Sequence, residues 1–210
     1  MSEVTINGKK YGSIEEYMEE INPTIVEPEN IDDWIYVLED DGTITINGYR
    51  GSDKEVVIPN YINGVPVKKL GYVVHGYANG NPLGSFWDPS ICKGGTISWY
   101  WRIQNDITSV VISKGIEEIG KQTFLYSQAL NEVIIPTTVK TIKYGVFGGC
   151  TSLTNIVIPS SVTTMESYVF SEIPSITVHV PWKEGEKPEG WDDYWNDTSH
   201  DCIITVDYAK

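Results

Sequence analysis

Three histidines, three cysteines and 29 acidic side chains are the groups in this 210-residue chain that could hold a metal or move a proton. Metal chemistry needs several of them to converge, usually from one short motif. His75, His179 and His200 are scattered, with no second histidine or carboxylate at ligand spacing. Cys92, Cys150 and Cys202 form no C-x-x-C pair, and an odd count is no disulfide framework. Cys150 reads as a small buried residue. No G-x-S-x-G elbow and no P-loop is present. Glu39, Asp40 and Asp41 could face a cation, but Asp41-Gly42 is first a turn signal. Asp32-Asp33 and Glu117-Glu118 are expected to point to different faces or to lie in exposed turns. Only a carboxylate pair assembled from distant positions would make a glycosidase. The expectation is therefore a protein with no catalytic residue, no metal site and no cofactor: not an enzyme.

Aromatic side chains offer a different chemistry, stacking on sugar rings or protein surfaces. The stretch 74–106 holds Tyr77, Phe86, Trp87, Trp99, Tyr100 and Trp101 among glycines at 76, 80, 84, 94 and 95. Two readings stand open there: a recognition surface, or a cover for a core that is locally interrupted. A second group, Trp182, Trp191, Tyr194 and Trp195, is expected to cap the end of the fold.

The element that must position these residues is an internal repeat. Ungapped copies begin at Ile107, Leu130 and Leu153, a period of 23 residues. Apolar columns follow it: Val110, Val133, Ile156; Ile112, Ile135, Ile158; Ile116, Val139, Val162; Ile119, Ile142, Met165; and Phe124, Phe147, Phe170. Alternation in Val133-Ile134-Ile135 predicts a strand with residues 133 and 135 on its inner face. Pro136 cannot donate to the ladder and ends it. Val139 and Ile142 enter the core from a second short extended segment, and Phe147 from a helical or turn segment that closes the coil. A shorter copy starts at Ile176. A broken one is visible in Val56-Val57-Ile58-Pro59 and Val67 to Leu70, separated by the loop Tyr61-Ile62-Asn63-Gly64. One such unit cannot bury its apolar face alone, whereas a stack can. The fold class is mainly β: a short solenoid with a β-rich N-terminal region and a C-terminal cap.

The pattern L-x-x-V-x-I-P-x-x-V-x-x-I-x-x-x-x-F resembles the BspA-like leucine-rich repeat. Trp34 to Leu38, Asp41 to Ile46 and Val180-Pro181-Trp182-Lys183-Glu184-Gly185 resemble the opening strands and the ending of such domains. The resemblance covers roughly residues 33 to 210. It implies a bacterial surface or secreted protein, or a phage relative, associated with adhesion, and it carries over no catalytic residue.

Ahead of the solenoid, Val4 to Tyr11 reads as a hairpin around Asn7-Gly8. Ser13-x-x-Glu16 is a capping box, and Ile14, Tyr17, Met18 and Ile21 make one apolar face of a short helix. Such a helix is not stable alone, so that face is the expected attachment element, docking on its own solenoid or on a larger assembly. Pro23 to Asn30 reads as a linker. The expected organisation is 1–30 attachment element, 31–73 N-terminal cap and broken repeat, 74–106 insertion, 107–181 repeats and 182–210 C-terminal cap.

Alternation also turns Val57, Val111, Ile134 and Val157 outward, into an apolar stripe that Trp87, Trp99, Tyr100 and Trp101 could wall at one end. Cover from the insertion or the N-terminal segment is the alternative. The formal net charge of −14 disfavours nucleic acid and anionic membranes. No apolar run is long enough to span a bilayer, and Met1 to Lys10 has no signal-peptide core. Three functions are therefore expected to compete: adhesion to a protein or glycan receptor, a phage head or tail protein with an N-terminal anchor, and a carbohydrate-binding module using the insertion aromatics. The expected location is the bacterial exterior or a virion.

Overall fold

The computed structural model describes residues 25–71, 106–196 and 202–209, together with the backbones of four short strands outside those ranges. Two of the four, β1 (Val4–Ile6) and β2 (Lys9–Tyr11), pair antiparallel with Val4 opposite Tyr11. They are the strands expected on either side of Asn7-Gly8. The helix expected after them, with Ile14, Tyr17, Met18 and Ile21, lies outside the described residues.

The solenoid opens with β3 (Trp34–Leu38) and β4 (Ile44–Tyr49), an antiparallel pair with a bulge between Ile35 and Tyr36. The carboxylate of Asp41 accepts hydrogen bonds from the backbone N–H of Thr43 at 3.0 Å and from its hydroxyl at 2.7 Å, which holds its pKa below the usual range. Gly42 follows at φ 80°. Asp41 thus serves the turn, and the Glu39 carboxylate accepts from the Thr45 hydroxyl.

Each further turn of the coil adds one strand to each of two sides. The broken turn contributes β5 (Glu55–Ile58), the two-residue β6 (Tyr61–Ile62) and β7 (Val65–Leu70). In the insertion, β8 (Tyr77–Ala78) pairs antiparallel with β9 (Asn81–Pro82). The regular turns give β10 (Ser109–Ile112) and β11 (Glu118–Ile119), β12 (Glu132–Ile134) and β13 (Thr141–Ile142), then β14 (Asn155–Val157) and β15 (Thr164–Met165). The shorter last turn gives β16 (Ser175–His179), and β17 (Ile203–Asp207) pairs parallel with it. The whole is a β-solenoid of about five turns.

On the first side, β5, β10 and β12 pair in parallel, and β14, β16 and β17 pair in parallel beside them. On the second side, β15, β13, β11, β7, β4 and β3 form one sheet, with β6 against β7. The registers are those of the repeat: Val110 lies opposite Val133 and Val56, and Ile119 opposite Ile142 and Leu70. Every residue of the five apolar columns is buried in one continuous core. Phe124, Phe147 and Phe170 stack ring on ring at 5.7 Å with nearly parallel planes.

The third side has no strands among the described residues, yet it too is hydrogen-bonded. The N–H groups of Gln122, Phe124 and Tyr126 donate to the carbonyls of Tyr144, Val146 and Gly148, and Gly145, Phe147 and Gly149 repeat the pattern on the following turn. Two positions per turn have left-handed backbone: Gln122, Gly145 and Tyr168 at φ 58°, 62° and 59°, and Tyr126, Gly149 and Glu172 at 59°, 68° and 58°. That conformation favours glycine and costs another residue on the order of 1 kcal/mol. Only the middle turn supplies glycine at both. Gly149 is also needed for space, since a Cβ there would lie 2.2 Å from the Tyr126 ring.

The C-terminal end is closed by Trp182, Trp191, Trp195 and Tyr208, whose rings meet at 5.1–5.5 Å. Trp195 sits edge-on to Phe170 at the end of the phenylalanine stack, and the Trp191 indole N–H donates to the Val162 carbonyl at 2.9 Å. Tyr194, expected in this cap, is instead exposed. It alternates with its buried neighbour Trp195 on a turn whose other face is solvent.

Candidate binding surface

The first side presents its outer face as columns set by strand register. One column runs Glu55, Ser109, Glu132 on one set of strands and Asn155, Thr177, Thr205 on the other. It is polar throughout, and the Ser109 hydroxyl donates to Glu132 at 2.8 Å. Two residues further along each strand lies the apolar column: Val57, Val111 and Ile134, then Val157, His179 and Asp207. The structure therefore brings together the four residues that alternation turned outward.

Their exposure is graded along the column. Val57 is 45% exposed, Val111 is half-buried, and Ile134 and Val157 are only 7% and 8% exposed. Neither Ile134 nor Val157 belongs to the continuous core. The column is open at its Val57 end and closed in the middle, so a uniformly exposed stripe is not what the chain presents. Trp87, Trp99, Tyr100 and Trp101, expected as its wall, lie outside the described residues.

At the far end of the column, His179 Nδ1 and Asp207 Oδ2 are 2.7 Å apart. A histidine–carboxylate pair is two-thirds of a hydrolytic triad, but its register neighbour is Val157, which brings no nucleophile. Among the described residues there is no group of three side chains that could hold a metal ion. Cys150 is fully buried and its thiol donates to the Phe124 carbonyl at 3.1 Å, with burial pushing its pKa up to about 12. At that pKa it has almost no thiolate at neutral pH.

The second side is charged rather than apolar. Glu117 accepts from Lys68 at 2.8 Å and from Lys140 at 2.7 Å, tying three successive turns together. Those two hydrogen bonds hold its carboxyl down to about 2. Lys143 spans Glu118 at 4.0 Å and Glu166 at 3.2 Å. The paired carboxylates 117 and 118 are thus two rows of a staple.

Residues 97–183 match the family model of the BspA type leucine rich repeat region, in six copies. This part of the solenoid is built of BspA-type leucine-rich repeats.

The chain is also similar in fold to solved structures. A leucine-rich repeat protein from Bacteroides ovatus ATCC 8483 matches with a TM-score of 0.53 and 21% identity over 83% of this chain and 37% of its own. One from Bacteroides capillosus ATCC 29799 matches with a TM-score of 0.50 and 18% identity over 88% of this chain and 99% of its own. The T. pallidum leucine-rich repeat protein gives 0.49 and 19% identity over 73% and 72%. At these identities the likeness is one of fold. No curated protein matches the chain.

Sequence reasoning missed two features of these BspA-type repeats. One is the third side, with Tyr144 39% exposed and edge-on to Tyr168 at 5.6 Å. Tyr144 and Tyr168 fall at adjacent positions of successive repeat copies, which was the available signal. The other is the anchoring of the segment read as a linker. Val26 accepts from the N–H groups of Asn60 and Tyr61 and donates to the Asn60 side chain at 2.8 Å. The Glu27 carboxylate accepts from Asn63 and Gly64 at 3.1 and 3.0 Å. An Asn-Gly turn leaves its amides needing acceptors, and this one takes them from before the hairpin.

Proposed function

We propose that the chain is a non-catalytic binding module that recognises a protein or glycan receptor through the outer face of its first side, at the Val57 and Val111 end. The observation that carries this is the apolar column beside a polar one, open where Val57 stands. An exposed apolar strip with a polar rim is how recognition surfaces are built. Ile134 and Val157 continue the column, and Trp87, Trp99, Tyr100 and Trp101 of the insertion would wall its open end. A purely carbohydrate-binding reading rests on those aromatics alone. Such a module would act outside a bacterial cell or on a virion.

The test is surface plasmon resonance against immobilised panels of extracellular proteins and of glycans. The V57S/V111S variant should bind its receptor at least about tenfold more weakly with an unchanged melting temperature, consistent with loss of a small apolar contact. Ile134 and Val157 are left intact because changing buried residues would confound stability with binding. An unchanged affinity in V57S/V111S, or no binder in either panel, would remove the proposal.

A second reading concerns attachment. The bonds from Val26 and Glu27 fix where the preceding chain leaves the solenoid, which suits an element that docks on something else. On this reading Ile14, Tyr17, Met18 and Ile21 attach the chain to a larger assembly, such as a phage head or tail. Deleting residues 1–24 should leave a cooperative solenoid that no longer assembles. Unfolding of residues 33–210 on that deletion would show the element to be part of the core.

A further inference from the structure

Asn63-Gly64 has the makings of a chemically short-lived asparagine. The pair forms the two-residue loop between β6 and β7, with Ile62 opposite Val65 and both backbones left-handed, at φ 52° and 75°. That is a type I′ turn, which favours this dipeptide. Both residues are exposed, so water reaches the turn. Gly64 brings no side chain to shield its nitrogen, and nothing stands within 4 Å of where a Cβ would be. Among the described residues the Asn63 carboxamide has no hydrogen-bond partner.

One group is held back. The Gly64 N–H donates to Glu27 Oε1 at 3.0 Å, and the Asn63 N–H donates to the other oxygen, Oε2, at 3.1 Å. Glu27 is brought there by Val26, whose carbonyl accepts from Asn60 and Tyr61 and whose N–H donates to the Asn60 side chain. Deamidation needs the Gly64 nitrogen to lose its proton and turn onto Asn63 Cγ. A carboxylate that accepts this N–H opposes both steps. It fixes the nitrogen in the turn, and its negative charge disfavours an amide anion beside it. It is also far too weak a base to take the amide proton itself.

We propose that Asn63 is a latent deamidation site and that Glu27 guards it. In the reaction the Gly64 nitrogen bonds to Asn63 Cγ and gives its proton to solvent. The carboxamide C–N bond breaks, and its nitrogen takes up a proton and leaves as ammonia. Water then opens the succinimide to aspartate or isoaspartate, with nothing oxidised or reduced. Either product places a new carboxylate at the residue whose N–H Glu27 holds. Isoaspartate also adds one carbon to the backbone of a two-residue turn whose length sets the register of β6 and β7. The modification therefore loosens residues 25–27 from the hairpin. The proposal does not depend on what the Val57 column binds.

The test ages the full chain at mildly alkaline pH and reads the tryptic peptide 55–68 by tandem mass spectrometry for deamidation at Asn63. E27A should deamidate about tenfold faster than the wild type, the factor that loss of a charge-assisted hydrogen bond gives. E27Q keeps one acceptor oxygen and should fall between them. E29A removes a neighbouring exposed carboxylate and should match the wild type. Asn47-Gly48, where Gly48 is paired with Ile35 inside β4, should hold one rate in every variant. In unfolding urea the wild type and E27A should share one rate, faster than that of the folded wild type. An E27A rate equal to the wild type's or slower would overturn the proposal. So would equal acceleration by E29A, or a difference between E27A and wild type that survives in urea.

Discussion

The regular turns, 107–175, and the broken turn, 55–71, solve the same problem differently. In the regular turns backbone N–H groups donate either to the next turn, as Phe124 does to Val146, or within their own, as Leu125 does to Gln122. The broken turn takes a longer path from Ile58 to Leu70 than the regular turn takes from Ile112 to Ile119, yet both strands stay in register. The extra hairpin is excluded from the register, and its amides are satisfied by Val26 and Glu27 from earlier in the chain. Inward-facing columns fix the strands, and what lies between them is free to vary provided its hydrogen bonds are met.

Breaking the regular stack should cost most. Phe147→Ala removes the middle of three stacked rings and should destabilise the chain by about 3–5 kcal/mol in chemical denaturation. Breaking the irregular turn should cost less and stay local. Asn60 is buried, accepts from Val26 and donates to the Lys114 carbonyl at 2.5 Å. Asn60→Ala should cost about 2 kcal/mol, because the partners lose a buried bond. Hydrogen exchange should show faster exchange at 25–27 and 60–65 while the regular turns stay protected.

The comparison can also be sharpened in the stabilising direction. Ser113 occupies the column of Pro59, Pro136 and Pro159, and its buried hydroxyl has no hydrogen-bond partner. Ser113→Pro should raise stability by about 0.5–1 kcal/mol, chiefly by restricting the unfolded chain. The smallest effect is the Glu117 staple. Its folded pKa of about 2 lies below the ordinary glutamate value of 4.5, so its contribution is present above pH 4.5 and is lost as pH falls towards 2. With the side chain 39% exposed, that contribution is discounted to about 0.5 kcal/mol. Melting temperature should fall less steeply between those pH values in Glu117→Gln than in the wild type.

The strands, their inner columns and the proline stops were legible because period and alternation set them directly. The same rules gave Val57, Val111, Ile134 and Val157 their outward direction, but alternation says nothing of what lies over a face, and two of the four are closed. The third side was not legible. Gln122, Tyr126, Tyr168 and Glu172 are residue types that argue against left-handed backbone, and the N–H groups of Gln122, Tyr126 and Tyr168 are held by the carbonyls of Tyr144, Gly148 and Tyr194 on the next turn. Strand β17 was read as part of the cap because the strand it pairs with is far upstream in sequence. Val26 and Glu27 were read as linker because their partners lie beyond the opening hairpin.

The central claim is that the open end of the apolar column is a recognition surface, and it is most directly tested by the affinity of V57S/V111S for the receptor that the wild type binds, measured at matched melting temperature. The account predicts a dissociation constant raised at least about tenfold, with Glu184→Gln unchanged. Equal affinity of V57S/V111S and wild type, with both fully folded, would contradict it.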